Sequence, residues 1–215
     1  MTLELFGHPF SSYTWKALIA LYEAGTPFEF RDISGDKYPE NDAALRAYWP
    51  VGKFPLLVDD GEAIMESSVI VEYVAPQLVP ADPGSAREAR MLDRIFDNHV
   101  MTPVQAIVAE HLPFITPTPD EGRIARATSA LDAIYPWLDS RLAGREWAAG
   151  DAFTLADCAG APSLFYADWV HRIPEQLETL WAYRRRVLAR PSVARAVDEA
   201  RPYRHLFPLG APDRD

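Results

Sequence analysis

The spacing of apolar residues changes twice near the start of the chain. Leu3 and Leu5 alternate with polar residues, as in a short strand. Apolar residues then recur at helical spacing from Trp15 to Tyr22, and Gly25 is a typical helix stop. Phe28-Glu29-Phe30 returns to the alternation of a strand. A strand, a helix and a strand in this order predict a βαβ unit with parallel strands.

Two short strands are predicted next, after a polar stretch with only a brief helical pattern at 43–48. Leu56-Leu57-Val58 forms the first of them, because Pro55 can begin a strand although it cannot donate a ladder hydrogen bond. Asp60-Gly61 is typical of a tight hairpin turn. The second strand, at 63–65, completes the hairpin.

A helix is predicted from Ser67 to Leu78, with Glu66-Ser67 at its start. We expect its buried stripe to consist of four apolar side chains, those of Val69, Ile70, Tyr73 and Val74. The first part of the chain therefore combines strands and helices.

Only helical patterns follow the turn-rich stretch at 79–85. Four helices are predicted here. The first lies at 86–111, and the second begins with a cap at Thr118 and Pro119 in its first turn and reaches about 142. The last two lie at 175–189 and 192–200. A further helix start is indicated near Thr154 and Asp157, which have the spacing of a capping box.

The predicted fold class is α/β plus all-α. An α/β N-terminal domain at 1–79 is followed by a linker at 80–86 and a helical-bundle C-terminal domain at 87–215.

Composition excludes several classes of partner. With 215 residues, of which 48% are hydrophobic, the chain can bury a substantial core. Its net charge of -10 argues against a general affinity for nucleic acid or anionic membranes. The one dense basic run, Arg184-Arg185-Arg186, is interpreted as the solvated face of a helix. No stretch approaches the length of a membrane span, and we expect a cytoplasmic location.

Cysteine and histidine usage narrows the chemistry. Cys158 is the only cysteine, so neither an internal disulfide nor a C-x-x-C redox pair can form. The five histidines show no metal-ligand spacing, and we predict no metal site. The glycine-rich nucleotide motifs and the hydrolase elbow are also absent from the sequence. Any thiol chemistry would therefore use the sulfur of a ligand.

Ser11 and Ser12 lie between the first strand and the first helix, where backbone amides are unpaired. Either serine can act simply as a helix cap. A hydroxyl that donates to a thiolate at the positive end of the helix would instead lower the thiol pKa. These two serines are therefore the candidate catalytic residues.

Two short motifs could hold such a ligand. Phe54, before Pro55, has a backbone that is free to pair with an extended ligand. Glu66-Ser67, at a helix start, offers amides and a hydroxyl to a carboxylate, while the Glu66 side chain could face an ammonium group.

These segments resemble the glutathione transferase family over nearly the whole chain. The segment from Ser11 to Leu21 is similar to the serine-dependent classes, in which a catalytic serine stands eight positions before Ile-Ala-Leu. Gly52–Gly61 resembles the cis-proline strand, Glu66-Ser67 the γ-glutamyl pair, and Thr154–Asp157 the capping box of the helical half. The departures are Phe54 for valine, Trp49 for asparagine, and the second hydroxyl of Ser12.

The resemblance implies a transferase that conjugates glutathione, its co-substrate, to a hydrophobic electrophile. Ser11 would activate the thiol, with Ser12 as the alternative. Phe54 would pair with the cysteinyl part, Glu66 and Ser67 would hold the γ-glutamyl end, and Lys53 or Lys37 would meet the glycine carboxylate. The resemblance also implies that the N-terminal domain is thioredoxin-like and that the protein is a homodimer.

The electrophile is expected between the domains, against four side chains for which ordinary core packing is the alternative: Phe10, Tyr13, Phe114 and Ile115. Two other functions remain open. One is a non-catalytic module that binds an apolar ligand or a protein, and the other is glutathione-dependent isomerase or reductive chemistry.

Overall fold

A computed structural model describes residues 3–215 of the chain. Met1 and Thr2, at the start of the predicted first domain, lie outside the described residues.

Four strands form one sheet in the first part of the chain. They are β1 (Glu4–Gly7), β2 (Glu29–Asp32), β3 (Leu56–Asp59) and β4 (Glu62–Ile64), in the order β2-β1-β3-β4. β1 pairs parallel with β2, which confirms the βαβ prediction, and antiparallel with β3. β3 and β4 form the predicted hairpin, because Asp60 and Gly61 both adopt the positive φ of a tight turn, 48° and 86°.

Helices cover both faces of this sheet. They are α1 (Ser12–Ala24), α2 (Pro39–Tyr48) and α3 (Ser67–Val74). Successive residues of β1 point to opposite faces, so Leu5 packs with Leu18 of α1 and Ile70 of α3, whereas Phe6 packs with Leu45 of α2. α1 ends at Gly25 as predicted, with the left-handed φ of 64° that glycine adopts readily.

α3 begins at Ser67 as predicted, but its predicted end and part of its predicted buried stripe were wrong. The helix ends at Val74 and a separate 3₁₀ turn follows at Pro76–Leu78, since the residue before a proline disfavours helical geometry. Val69 and Tyr73 are about half exposed. Ile70 is buried as predicted, and Val71, which was not predicted, is buried with it. Apolar residues lie all round this helix, so packing against the sheet and α1 decides which face is buried.

α2 is longer than the brief helical pattern at 43–48. It begins at Pro39, whose fixed φ suits the first helical position, and its polar first turn shows no hydrophobic period. Leu45 is its only buried residue, which explains why periodicity captured only the second half of the helix.

The second part of the chain is helical, as predicted. Its helices are α4 (Pro83–Ile95), α5 (Thr102–Glu110), α6 (Glu121–Leu142), α7 (Leu155–Val170), α8 (Glu178–Leu188) and α9 (Pro191–Ala200). In the described part of the chain beyond α3, the only β pairing is an isolated bridge between Trp147 and Gly150.

Two helix starts and one helix interior differ from expectation. The helix expected at 86–111 begins at Pro83, within the predicted linker, and a π-helical segment at Phe96–Met101 separates α4 from α5. α6 is capped by Asp120 rather than Thr118, because the Asp120 carboxylate accepts hydrogen bonds from the amides of Gly122 and Arg123.

One core joins the two parts of the chain. α1 packs its Trp15 and Ile19 against the helical half, so these side chains belong to the same buried cluster as Leu164 and Phe165 of α7. Cys158, also on α7, is fully buried.

Arg184 corrects the interpretation of the basic run. Its side chain is buried, its Nε donates to the Leu164 carbonyl, and its Nη2 lies 3.5 Å from Asp168. Arg185 remains on the exposed face. Only part of the run is therefore a solvated helix face.

Asp157 anchors the start of the central helix α7. The predicted capping box with Thr154 is present. The Asp157 carboxylate also accepts hydrogen bonds from the Ala148 amide and the Tyr183 hydroxyl, each at 2.8 Å. Burial raises the pKa of this carboxyl, although these bonds oppose the shift. The side chain thus joins α7, α8 and the preceding loop.

Replacing Asp157 should destabilise the whole protein. Asp157→Ala leaves the Ala148 amide, the Thr154 amide and the Tyr183 hydroxyl buried without this partner, so we expect the free energy of unfolding to fall by about 3 kcal/mol. Urea unfolding followed by circular dichroism measures the change. Asp151→Ala, at an exposed position of the preceding loop, is the control and should change stability by less than about 0.5 kcal/mol. Equal losses in the two variants would contradict this role.

Candidate functional site

The loop between β1 and α1 is held in place by the helical half. The Tyr166 hydroxyl on α7 donates to the Phe10 carbonyl at 2.9 Å. The Trp15 indole donates to the Pro9 carbonyl at 2.7 Å. At Gly7 the strand approaches the first turn of α1 so closely that an added Cβ would lie 2.6 Å from a side-chain carbon of Thr14. Packing therefore determines where α1 begins.

Ser11 and Ser12 occupy different positions at that helix start. Ser11 is the cap residue of α1, and its Oγ accepts a 3.3 Å hydrogen bond from the Thr14 amide. Ser12 is the first helical residue, and it is 8% exposed. In the described chain, the amides of Ser12 and Tyr13 have no backbone or side-chain partner. Two amides and two hydroxyls thus converge at the positive end of α1.

An apolar cavity of about 600 Å³ opens beside this helix start. Both serines line it, and so do three of the four predicted pocket residues, Phe10, Tyr13 and Phe114. Its other walls come from the helical half and the chain after α9, namely Met101, Val104, Val108, Leu112, Tyr166, Leu206, Phe207 and Pro208. Ile115 does not line the cavity and is 56% exposed.

A second cavity, of about 350 Å³, has mostly polar walls. The predicted ligand-holding residues Phe54, Pro55, Glu66 and Ser67 all line it. The two cavities adjoin, because they share Tyr13, Lys53, Phe54 and Gln105 as walls. Lys37 lies outside both, and its ammonium group is 4.8 Å from the centre of the Tyr38 ring.

The backbone on the sheet side of the polar cavity has two unusual features. The Phe54–Pro55 peptide bond is cis. Glu66, the residue before α3, has a φ of 68° and a ψ of 116°, a conformation that non-glycine residues rarely adopt. It places Ser67 as the first residue of α3, nearly buried, where the helix amides are unpaired. The unusual backbone conformation of Glu66 persists only because the surrounding packing enforces it.

The residues of the helical half that line the polar cavity were not predicted from the sequence. Four polar residues around the junction of α4 and α5 line it: Arg94, Asp97, Asn98 and Gln105. Asp97 and Asn98 lie in the π-helical segment. The one available signal in the sequence was the pair of polar residues Asp97 and Asn98 inside an apolar helical pattern. Only the packing of the two halves of the chain places this pair close to the hairpin.

Tyr13 lies between the two cavities. Burial, with a contribution from the negative charge of Asp97, raises the pKa of its phenol to about 12. Tyr13 is therefore neutral at pH 7, so it can donate a hydrogen bond but is not itself a base.

Among the side chains that the structure describes, no group of three or more histidine, cysteine or carboxylate residues is arranged to hold a metal ion. No helix within residues 3–215 combines the length and apolar character that crossing a membrane requires.

Both parts of the chain match models of known domain families. Residues 5–80 match the glutathione S-transferase N-terminal domain, and residues 121–186 match the glutathione S-transferase C-terminal domain. Together the two matches cover more than half of the chain.

Similar proteins share this arrangement. A glutathione S-transferase of Silene vulgaris is 29% identical over 210 residues, which are 89% of this chain and 95% of the relative. Among solved structures, glutathione transferase F7 from Populus trichocarpa superposes with a TM-score of 0.79 at 20% identity, over 92% of this chain and 99% of its own. A glutathione S-transferase from Methylobacillus flagellatus KT, solved with glutathione bound, has a TM-score of 0.79 at 23% identity, over 91% and 98%.

At these identities the structural matches establish the fold, and the two domain matches establish the family. Because these two domains match in this order and together span more than half of its length, the chain belongs to the glutathione S-transferase family.

Proposed function

We propose that this protein is a glutathione transferase that binds glutathione in the polar cavity and adds its sulfur to an apolar electrophile in the adjoining cavity. The observation that carries the proposal is the shared wall of Tyr13, Lys53, Phe54 and Gln105 between one polar and one apolar cavity, beside the start of α1. A tripeptide and an apolar molecule could meet there.

Glutathione fits the polar cavity by charge and by backbone pairing. The Phe54 backbone would pair with the cysteinyl residue, Glu66 would face the ammonium group, and Ser67 would meet the γ-glutamyl carboxylate. Of the two lysines considered for the glycine carboxylate, we favour Lys53, because it lines the cavity and Lys37 does not.

The division of the chain into an N-terminal domain at 1–79, a linker at 80–86 and a C-terminal domain at 87–215 remains part of the proposal.

Ser11 is the better placed of the two serines to stabilise a thiolate. Its Oγ already accepts a hydrogen bond from the Thr14 amide, so the hydroxyl proton is free to donate to sulfur. The unpaired amides of Ser12 and Tyr13 add positive potential. Lowering the thiol pKa by about two units corresponds to about 2.7 kcal/mol.

The reaction then requires no further protein group. The thiolate attacks the electrophilic carbon and forms a sulfur–carbon bond. The thiol proton has already gone to water. In a substitution, the bond to the leaving group breaks and its electron pair departs with that group. In an addition, the π electron pair of an activated double bond moves to the neighbouring atom, which takes up a proton from water. The apolar cavity favours the reaction by removing the electrophile and the thiolate from bulk water.

A homodimer, expected from the family, and a cytoplasmic location, expected from the sequence, complete the proposal. Binding without catalysis and glutathione-dependent isomerase or reductive chemistry are the competing functions. Retention on immobilised glutathione, followed by turnover of a chloronitroaromatic, separates a transferase from a binding module. Retention without turnover would contradict the transferase proposal.

Ser11→Ala should raise the pKa of the bound thiol. Without the hydroxyl donor, we expect the thiolate fraction of bound glutathione at pH 7 to fall from about three quarters to about one quarter or less, because the amides of Ser12 and Tyr13 still contribute. Thiolate absorbance in the ultraviolet, titrated from pH 5 to 10, measures this fraction, and turnover at pH 7 should fall in parallel.

Ser12→Ala is the matched control, since it removes the neighbouring hydroxyl from the same helix start. We expect its thiol titration to stay close to that of the wild type. A shift in the Ser12 variant alone would transfer the role to Ser12, and no ionised thiol in the wild type would overturn the mechanism.

His8 should make the loop before Ser11 sensitive to acid. Its Nδ1 accepts a 3.1 Å hydrogen bond from the Phe10 amide, which is possible only while that nitrogen carries no proton. Burial lowers the pKa of His8 from 6.5, although the charge of Asp32 opposes the shift. The neutral ring therefore contributes stability that is complete above pH 6.5 and is lost as the pH falls through the lower folded-state pKa.

His8→Asn tests this pH dependence, because an amide oxygen can accept the same bond and does not titrate. We expect the wild type to lose unfolding free energy relative to His8→Asn between pH 6.5 and 5. Urea unfolding of both proteins at several pH values provides the measurement. A constant difference across this range would show that the His8 ring does not contribute in this way.

A further inference from the structure

The polar cavity contains a cation that neither the hairpin nor the first loop provides. Arg94, in the last turn of α4, lines this cavity together with Glu66 and Ser67. Its side chain is 47% exposed. It enters the cavity wall from the helical half of the chain. Lys53 is the other cationic residue in the cavity wall.

Two aspartates hold one edge of the Arg94 guanidinium. Its Nε and Nη2 donate to Asp93 Oδ2 at 2.9 and 2.6 Å, and Nη2 also donates to Asp97 Oδ2 at 2.7 Å. Within residues 3–215, Nη1 has no hydrogen-bond partner. The guanidinium is therefore fixed in direction while part of its donor set remains available to a ligand.

A buried lysine pairs with the same two aspartates. Lys16 Nζ lies 2.6 Å from Asp93 Oδ1 and 2.7 Å from Asp97 Oδ2, and its side chain is 1% exposed. Without Lys16, two nearly buried carboxylates would share one cation, and the cluster would carry a net negative charge. With it, the four charges balance, so the site does not repel an anionic ligand through excess negative charge.

The same cluster is tied to the start of α3. The hydroxyl of Ser68, the residue after Ser67, donates to Asp93 Oδ2 at 2.8 Å and accepts from Lys16 Nζ at 2.7 Å. Arg94 and the amides at the start of α3 are thus linked through one carboxylate. Arg94 therefore belongs to the Ser67 end of the cavity.

We propose that Arg94 binds the α-carboxylate of the γ-glutamyl group, together with Ser67 and the amides at the start of α3. This inference rests on the proposed function. Glutathione carries two carboxylates and one ammonium group, and the cavity offers two cations, Arg94 and Lys53, with Glu66 available for the ammonium. The guanidinium matches carboxylate geometry better than an ammonium does.

A ligand analogue isolates this contact. γ-Aminobutyryl-cysteinyl-glycine retains the thiol, the amine and the glycine carboxylate of glutathione, and lacks only the α-carboxylate. Calorimetric dissociation constants for both ligands, in the wild type and in Arg94→Gln, complete the cycle. We expect the wild type to prefer glutathione at least about tenfold, and Arg94→Gln to reduce that preference to about twofold.

Arg90→Gln is the control on the same helix. Arg90 is exposed one turn earlier, does not line the cavity, and pairs with Glu72 through two 2.7 Å hydrogen bonds. Its replacement should leave the ligand preference at the wild-type value. Arg94→Lys, which keeps the charge but loses the fork, should give an intermediate preference.

The outcomes separate this inference from the function on which it rests. If Arg94→Gln weakens both ligands by the same factor, Arg94 does not contact the α-carboxylate and the inference is overturned. If the wild type binds neither ligand, the proposed function itself fails. If Arg90→Gln reduces the preference as much as Arg94→Gln does, the effect is one of general charge and the assignment is also lost.

Discussion

The structure depends on α1 burying two faces at once. Leu18 and Leu21 pack against the sheet and α3, whereas Trp15 and Ile19 pack in the same core as α7 of the helical half. A helix that is buried on both sides cannot rotate without opening one of the two interfaces, because interiors are close-packed. The position of its first turn is therefore determined by packing on both sides, and the two serines lie at that turn.

Both cavities follow from this arrangement. The Tyr166 hydrogen bond holds the loop before α1 against the helical half, and the Trp15 hydrogen bond ties the same loop to α1. The apolar cavity lies between that loop, α5 and the chain after α9. The polar cavity lies where the hairpin and α3 face the end of α4. Lys16, on α1 itself, brings a buried charge to that boundary. The site is thus a property of the interface between the two halves.

The half of the site that lies on the sheet side was predictable from sequence. Phe54-Pro55 and Glu66-Ser67 are short motifs that can be recognised from consecutive residues. All four residues lie in the walls of the polar cavity. Arg94 and Asp97 were not predicted, because their meeting with Ser67 depends on the angle between α4 and α3. A π-helical segment that hydrophobic periodicity does not signal follows directly after α4. Ile115 was expected in the pocket because of the loop that contains it, and Lys37 was expected from the family resemblance. Both lie outside the two cavities.

The sequence by itself determined the order of strands and helices, the hairpin turn, the Thr154–Asp157 cap and the absence of a second cysteine. These features depend on side-chain period, turn chemistry and composition, which act over a few residues. Only the tertiary structure decided which face of α3 is buried, which arginine of the basic run points inward and which residues of the helical half complete the polar cavity. Those outcomes depend on contacts between residues distant in the chain, and several local patterns were compatible with more than one of them.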